Sequence, residues 1–139
     1  VCISGLGEIQ AGRRRVRLSH LDEENGRRRE AAADYLAGIH NSAVVLPVVG
    51  KANEHVWHIF AVRVRRRDAF QAYLSENGIG TVIHYPIPPH RQPAYAEWRD
   101  RRYPNSEKIH AEVISLPMGP ALTRMEREAV IAAVNAWQE

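Results

Sequence analysis

The ten residues His55-Val-Trp-His-Ile-Phe-Ala-Val-Arg-Val64 decide the fold, because they make the best strand in the chain, rich in β-branched and aromatic side chains. Side chains along a strand point alternately to its two faces, so Val56, His58, Phe60, Val62 and Val64 share one face and His55, Trp57, Ile59, Ala61 and Arg63 the other. Both sets are mostly apolar, which fits a strand covered on both sides at the centre of a sheet. On this reading His58, between Val56 and Phe60, is a hydrogen-bonded core histidine.

Outward from that strand the elements alternate. Asp68 is placed to cap or charge a helix whose apolar face is Ala69, Phe70, Tyr73 and Leu74, with Asn77-Gly78 as a left-handed cap and Ile79 folding back. A strand is expected from Thr81, parallel or antiparallel to the first. On the other side, Val44-Val-Leu-Pro-Val-Val49 is apolar, but Pro47 restricts it to an edge. The segment from Gly7 to Leu36 reads as one long helix with a frayed start, weakened by Gly12 and Gly26 and ended by Gly38. Beyond the loop, short helices are expected over 94–101 and 105–113, and 115–120 reads as a turn-rich linker. The last helix opens with the capping-box spacing Thr123 to Glu126 and carries Met125, Ala129, Val130, Ala133, Val134 and Trp137 on its apolar face. The fold class is therefore α+β, helices packed on a short, largely antiparallel sheet, and 139 residues suffice for one domain.

Composition narrows the functional classes. With 45% apolar and 25% charged residues the chain is ordinary for a globular protein, and no apolar run approaches the roughly 18–20 residues of a membrane span. The start Val-Cys-Ile-Ser-Gly lacks the pattern of a secretory signal, and the lone Cys2 has no internal disulfide partner, so a cytoplasmic location is expected. The net charge of +3 comes with short arginine runs at 13–15, 27–29, 65–67 and 101–102. Nucleic acid is a rival partner on that ground, although acids bracket the two middle runs as on solvated helix faces.

The chemistry-bearing groups gather after Thr81. Val82-Ile83 begins as a strand, and four prolines from Pro86 to Pro93 then forbid a ladder or a helix. His84, Tyr85, His90, Arg91, Gln92 and Tyr95 lie on this stiffened loop, where ordering entropy is already spent, so it reads as a substrate-binding surface. His84, Tyr85, His90, Gln92 and Arg91 are the candidate site residues. The spacing of His55, His58, His84 and His90 matches no zinc pattern, and no metal is expected. Trp57, Trp98 and Trp137 read as core or rim packing.

Leu21-Asp22 with Arg27-Arg-Arg29, His55-Val-Trp-His-Ile-Phe-Ala-Val-Arg63, Gly78-Ile-Gly-Thr81, Ile83-His-Tyr-Pro86, Pro89-His90, Gln92-Pro-Ala-Tyr95 and Ser115-Leu-Pro-Met118 followed by Leu122-Thr123 resemble the C-terminal domain of the DegT/StrS family. These are pyridoxal-phosphate-dependent aminotransferases of nucleotide-linked keto sugars. The resemblance runs in order from about Gly5 to the end, and His84-Tyr-Pro-Ile-Pro-Pro-His90 with 115–120 is most similar to members acting on dTDP-3-keto-6-deoxyhexoses. It implies a homodimeric enzyme with glutamate as amino donor, in which a lysine and an aspartate of a preceding large domain hold the cofactor. Neither Lys51 nor Lys108 has that lysine's context, so the chain is expected to be the substrate-covering small domain with part of the preceding long helix, inactive alone. His84 and Tyr85 match the family's loop toward the sugar, with His90 and Gln92 beside it.

The chain departs from the pattern at its N-terminal end. Ile3 and Gly5 stand where the family has an asparagine and an arginine, Gly7 replaces an aspartate, and Arg13 and Arg14 replace apolar residues. A second expectation is therefore a non-catalytic remnant or basic binding module, dimerising through its first helix or binding nucleic acid.

Overall fold

A computed structural model describes residues 7–51 and 54–139. The expectations at Cys2, Ile3 and Gly5 lie outside the described residues.

The elements run α1 (Glu8–Leu18), α2 (Leu21–Gly38), β1 (Val44–Val45), β2 (Phe60–Val64), α3 (Arg67–Glu76), α4 (Pro104–Glu112), β3 (Val113–Leu116) and α5 (Arg124–Ala136), with short 3₁₀ turns at Pro89–Arg91 and Pro93–Trp98. The sheet is antiparallel in the order β1-β2-β3, with Val44 opposite Val64, and Phe60 opposite Leu116. β2 is central, as its composition requires, and β1 stops at the edge before Pro47. The α+β architecture is thus the one expected.

The central strand is shorter than the alternation suggests. It begins at Phe60 rather than His55, because Trp57 takes a left-handed backbone, φ +51°, that ends any ladder. The Trp57 amide donates to His55 Nδ1 at 2.9 Å in a local turn, and the indole folds inward, stacked at 5.3 Å on Phe60. Tyr35 of α2 meets Phe60 edge-on at 5.1 Å, so three aromatic rings seat α2 on the sheet, each pair contributing on the order of 1 kcal/mol beyond its burial. The register break leaves His58 exposed, which corrects its expected place in the core.

Other differences have local causes. The first helix is two, broken at Ser19 and His20, with nothing of α1 buried. Without burial a helix of 11 residues has only its propensity, so no core holds it collinear with α2. The strand expected at Thr81 is a single antiparallel bridge from Val82 to Ser115. The supposed linker at 115–120 begins as the end of β3, whose four residues are all buried. Met125 and Ala129 of α5 face solvent, and the buried stripe is Arg127, Val130 and Val134.

Local rules hold elsewhere. The Ile79 amide donates to Leu74 O at 2.8 Å and the Gly78 amide to Ser75 O at 3.0 Å, closing α3 with Gly78 at φ +75°. At α5 the Glu126 amide donates to Thr123 Oγ1 at 3.3 Å while the Thr123 amide donates back to Glu126 Oε2 at 2.7 Å, a complete capping box.

Candidate substrate-binding loop

The bridge between Val82 and Ser115 delivers the chain from the sheet into the loop. His84 follows with its Nδ1 3.0 Å from Ser115 Oγ, and both line a cleft of about 150 Å³ with His58, Gly80 and Met118. Ser115 is buried on the ladder, so a rigid strand fixes the imidazole of a loop residue. Tyr85 is mostly exposed, its ring edge-on to His84 at 5.7 Å. Its backbone carbonyl accepts from His110 Nδ1 of α4 at 2.6 Å.

The far half of the loop is anchored differently. His90 is buried, donating Nε2–H to Glu107 Oε1 at 3.2 Å with its ring against Tyr103 at 4.9 Å. Arg91 reaches the other carboxylate oxygen of Glu107 at 3.1 Å. The Tyr103 amide also donates to Glu107 at 3.1 Å, and with His90 and Arg91 this holds the carboxyl below the usual carboxylate range against the opposing effect of desolvation. Gln92 makes one long bond, Nε2 to Ile87 O at 3.5 Å, within the loop.

The structure therefore gathers the five candidate residues in two groups. His84 and Tyr85 stand together at the cleft and in solvent; His90 and Arg91 converge on Glu107, and Gln92 turns back on the loop. Both groups are tied to α4, through Glu107 and His110, three residues and so roughly 4.5 Å of helix rise apart. Sequence reasoning missed Ser115, Glu107 and His110. The readable signal was the spacing Glu107 to His110 on one face of a helix opened by Pro104.

Among the described residues no group of three or more His, Cys, Asp or Glu side chains could hold a metal ion. Nor do they fit pyridoxal phosphate unaided. Lys51 is exposed and paired with Glu54 at 3.5 Å, and Lys108 is exposed 4.0 Å from Glu112. No helix among the described residues is long and apolar enough to cross a membrane.

Residues 4–135 match the model of the DegT/DnrJ/EryC1/StrS aminotransferase family. The chain belongs to this family. The dTDP-3-amino-3,6-dideoxy-alpha-D-galactopyranose transaminase of Aneurinibacillus thermoaerophilus is 53% identical over 134 residues, which are 96% of this chain and 37% of that protein. The fold overlays on DesV of S. venezuelae, solved in complex with a ketimine intermediate, with a TM-score of 0.90 and 44% identity over 95% of this chain and 36% of that one. The Bacillus subtilis protein NtdA, solved with bound cofactor PMP, overlays with a TM-score of 0.72 and 28% identity over 80% of this chain and 27% of that one. The chain thus spans 27–37% of the length of these family members, and pyridoxal-phosphate chemistry is the family's.

Proposed function

We propose that the chain is the substrate-covering small domain of a pyridoxal-phosphate-dependent aminotransferase acting on a nucleotide-linked keto-deoxysugar, most similar to dTDP-3-keto-6-deoxyhexoses, with glutamate as amino donor. On this reading the lysine that holds the cofactor comes from a large domain, in the same polypeptide or a partner, within a cytoplasmic homodimer. His84 and Tyr85 face the sugar, with Gln92 beside them, and His90 and Arg91 hold the loop that presents them.

The observation that carries this is the anchoring of His84 and Tyr85. Ser115 fixes the imidazole from the sheet and His110 fixes the Tyr85 carbonyl from α4, so two exposed-side polar groups are preorganised before any ligand arrives. Pro86, Pro88 and Pro89, directly after Tyr85, remove much of the remaining freedom. The exposed Leu18 and Leu21, which rim a groove of about 670 Å³ with Arg14, Arg17 and Val56, suit a face that the rest of the enzyme covers, and Val16 is exposed nearby in α1.

The test is complementation. The chain joined to a lysine-bearing family large domain is expected to transfer an amino group from glutamate to a dTDP-keto-deoxysugar, and His84→Ala with Tyr85→Phe to lose most of that rate. An absorbance scan of the chain alone with pyridoxal phosphate is expected to show only free cofactor; a stable band abolished by Lys51→Ala or Lys108→Ala would overturn the division of labour.

A further inference from the structure

Ser115 is the one polar residue of β3, and its main chain is already satisfied. Its amide donates to Val82 O at 2.8 Å and its carbonyl accepts from the Val82 amide at 3.3 Å. The side chain is left with a single task. Ser115 is 5% exposed, and among the described residues its Oγ has one hydrogen-bond partner, His84 Nδ1 at 3.0 Å. The other ring nitrogen of His84, Nε2, meets no protein group among the described residues.

The direction of this bond follows from counting hydrogens. A neutral imidazole carries one N–H and offers its other nitrogen as an acceptor, whereas a hydroxyl must place its hydrogen somewhere. Were Nδ1 to donate, the Ser115 hydrogen would lack an acceptor in a position nearly closed to water, and an unsatisfied buried donor costs more than the bond returns. The hydroxyl therefore donates to Nδ1, and the His84 hydrogen is held on Nε2. The two nitrogens lie on different sides of the ring, so with Nδ1 turned to the strand, Nε2–H is left for the cleft that His84 lines. Ile59, Val82, Leu116 and Met118 make that cleft largely apolar, which strengthens a hydrogen bond formed inside it.

We propose that Ser115 is a positioning residue that sets the tautomer of His84, so that Nε2–H donates to an oxygen of the substrate, the carbonyl or a hydroxyl of the sugar. In this tautomer Nε2 has no lone pair with which to take a proton, so His84 binds and orients the sugar and is not the base. Had the Ser115 bond run the other way, the same imidazole would select a hydrogen-bond donor instead. This rests on the reading of the His84 cleft as the place of the sugar, and it gives the recognising group a direction.

Proton–nitrogen correlation NMR of the imidazole rings, recorded on the 139-residue chain with His84 neutral and its signals assigned through His84→Gln, tests it. The expected pattern for His84 is Nε2–H. Nδ1–H, or an even mixture, overturns the proposal, and the wild-type spectrum decides this without any substitution in β3. Ser115→Ala should raise the ratio of Nδ1–H to Nε2–H about fivefold, the worth of one hydrogen bond, and Ser115→Thr, which returns the hydroxyl, should reverse the change. A ratio that Ser115→Ala leaves alone, at unchanged circular dichroism, also overturns the proposal. In the complemented enzyme Ser115→Ala should raise KM for the nucleotide sugar about fivefold and change kcat less. Turnover with an unchanged KM removes the role of Ser115 and leaves the aminotransferase reading standing, whereas the Nε2–H pattern without any transamination removes that reading and keeps the tautomer.

Discussion

His110 donates its Nδ1 hydrogen to the backbone carbonyl of Tyr85 at 2.6 Å, across 25 residues of chain. This bond, rather than any contact of the phenol itself, determines where Tyr85 is presented. A loop without regular backbone pairing keeps its shape through such side-chain bonds to main chain, so the helix that supplies them is part of the candidate site.

His110→Ala is accordingly expected to cost about 1 kcal/mol, the net worth of one hydrogen bond, or roughly 3 °C in melting temperature. The larger effect should fall on KM of the complemented enzyme, with kcat for bound substrate changed less. A fall in kcat equal to the fall in kcat/KM would instead place His110 at the reacting atoms, and steady-state kinetics separates the two.

Acid should loosen the far half of the loop. Glu107 is held below the ordinary carboxylate range by the Tyr103 amide first, and then by His90 and Arg91. The folded chain therefore binds that proton more weakly than the unfolded chain. The resulting stability is present at neutral pH and is lost as pH falls from about 4.3, the unfolded value, through the lower folded one. Glu126 is shifted the same way by the Thr123 hydroxyl and amide, so both contribute to one acid limb. In urea titrations at stepped pH, Glu107→Gln should flatten part of that limb and Glu126→Gln another part.

Arg127 lies on the core side of α5, donating to Asp34 at 2.6 Å, Glu30 at 2.8 Å and Leu122 O at 3.0 Å. Its guanidinium is nearly buried, whereas the side chains of Glu30 and Asp34 are 66% and 41% exposed. Removing the arginine thus leaves carboxylates that water can reach, and the cost stays below that of a fully buried pair. Arg127→Ala is expected to destabilise by about 2 kcal/mol, from lost charged hydrogen bonds and lost stem packing. Urea unfolding measures this, and a loss under 0.5 kcal/mol would show that the clamp contributes little.

What could be read from the chain was what local chemistry decides. The Thr123 to Glu126 box and the Asn77-Gly78 cap are set within a few residues, and both formed as expected. β3 was hidden because Val113-Ile-Ser-Leu116 is buried at every position, which erases alternation, and because it abuts α4 without a break. Trp57 has the composition of a strand residue, and only the tertiary pocket above Phe60 turns its backbone left-handed. At the site, the prolines revealed that a rigid loop carries His84 and Tyr85. Its supports could not be seen, since Glu107 meets His90 across 17 residues and Ser115 meets His84 across 31.

Gly38 separates two reasons for a helix-ending glycine. The expected reason was a left-handed cap, yet Gly38 is the last residue of α2 and carries no positive φ. A Cβ there would stand 2.9 Å from Ile131 Cδ1 and 3.0 Å from its Cγ2, so the missing side chain lets α5 approach α2. Alanine gains roughly 0.5–1 kcal/mol over glycine inside a helix, while overpacking costs about 1–3 kcal/mol. Gly38→Ala alone should therefore be destabilising by about 1 kcal/mol. With Ile131→Ala already in place the obstruction is gone, and the same substitution should stabilise by about 0.5 kcal/mol. A double-mutant cycle by urea unfolding reads this change of sign. Additive effects would mean that the two helices do not meet at this pair.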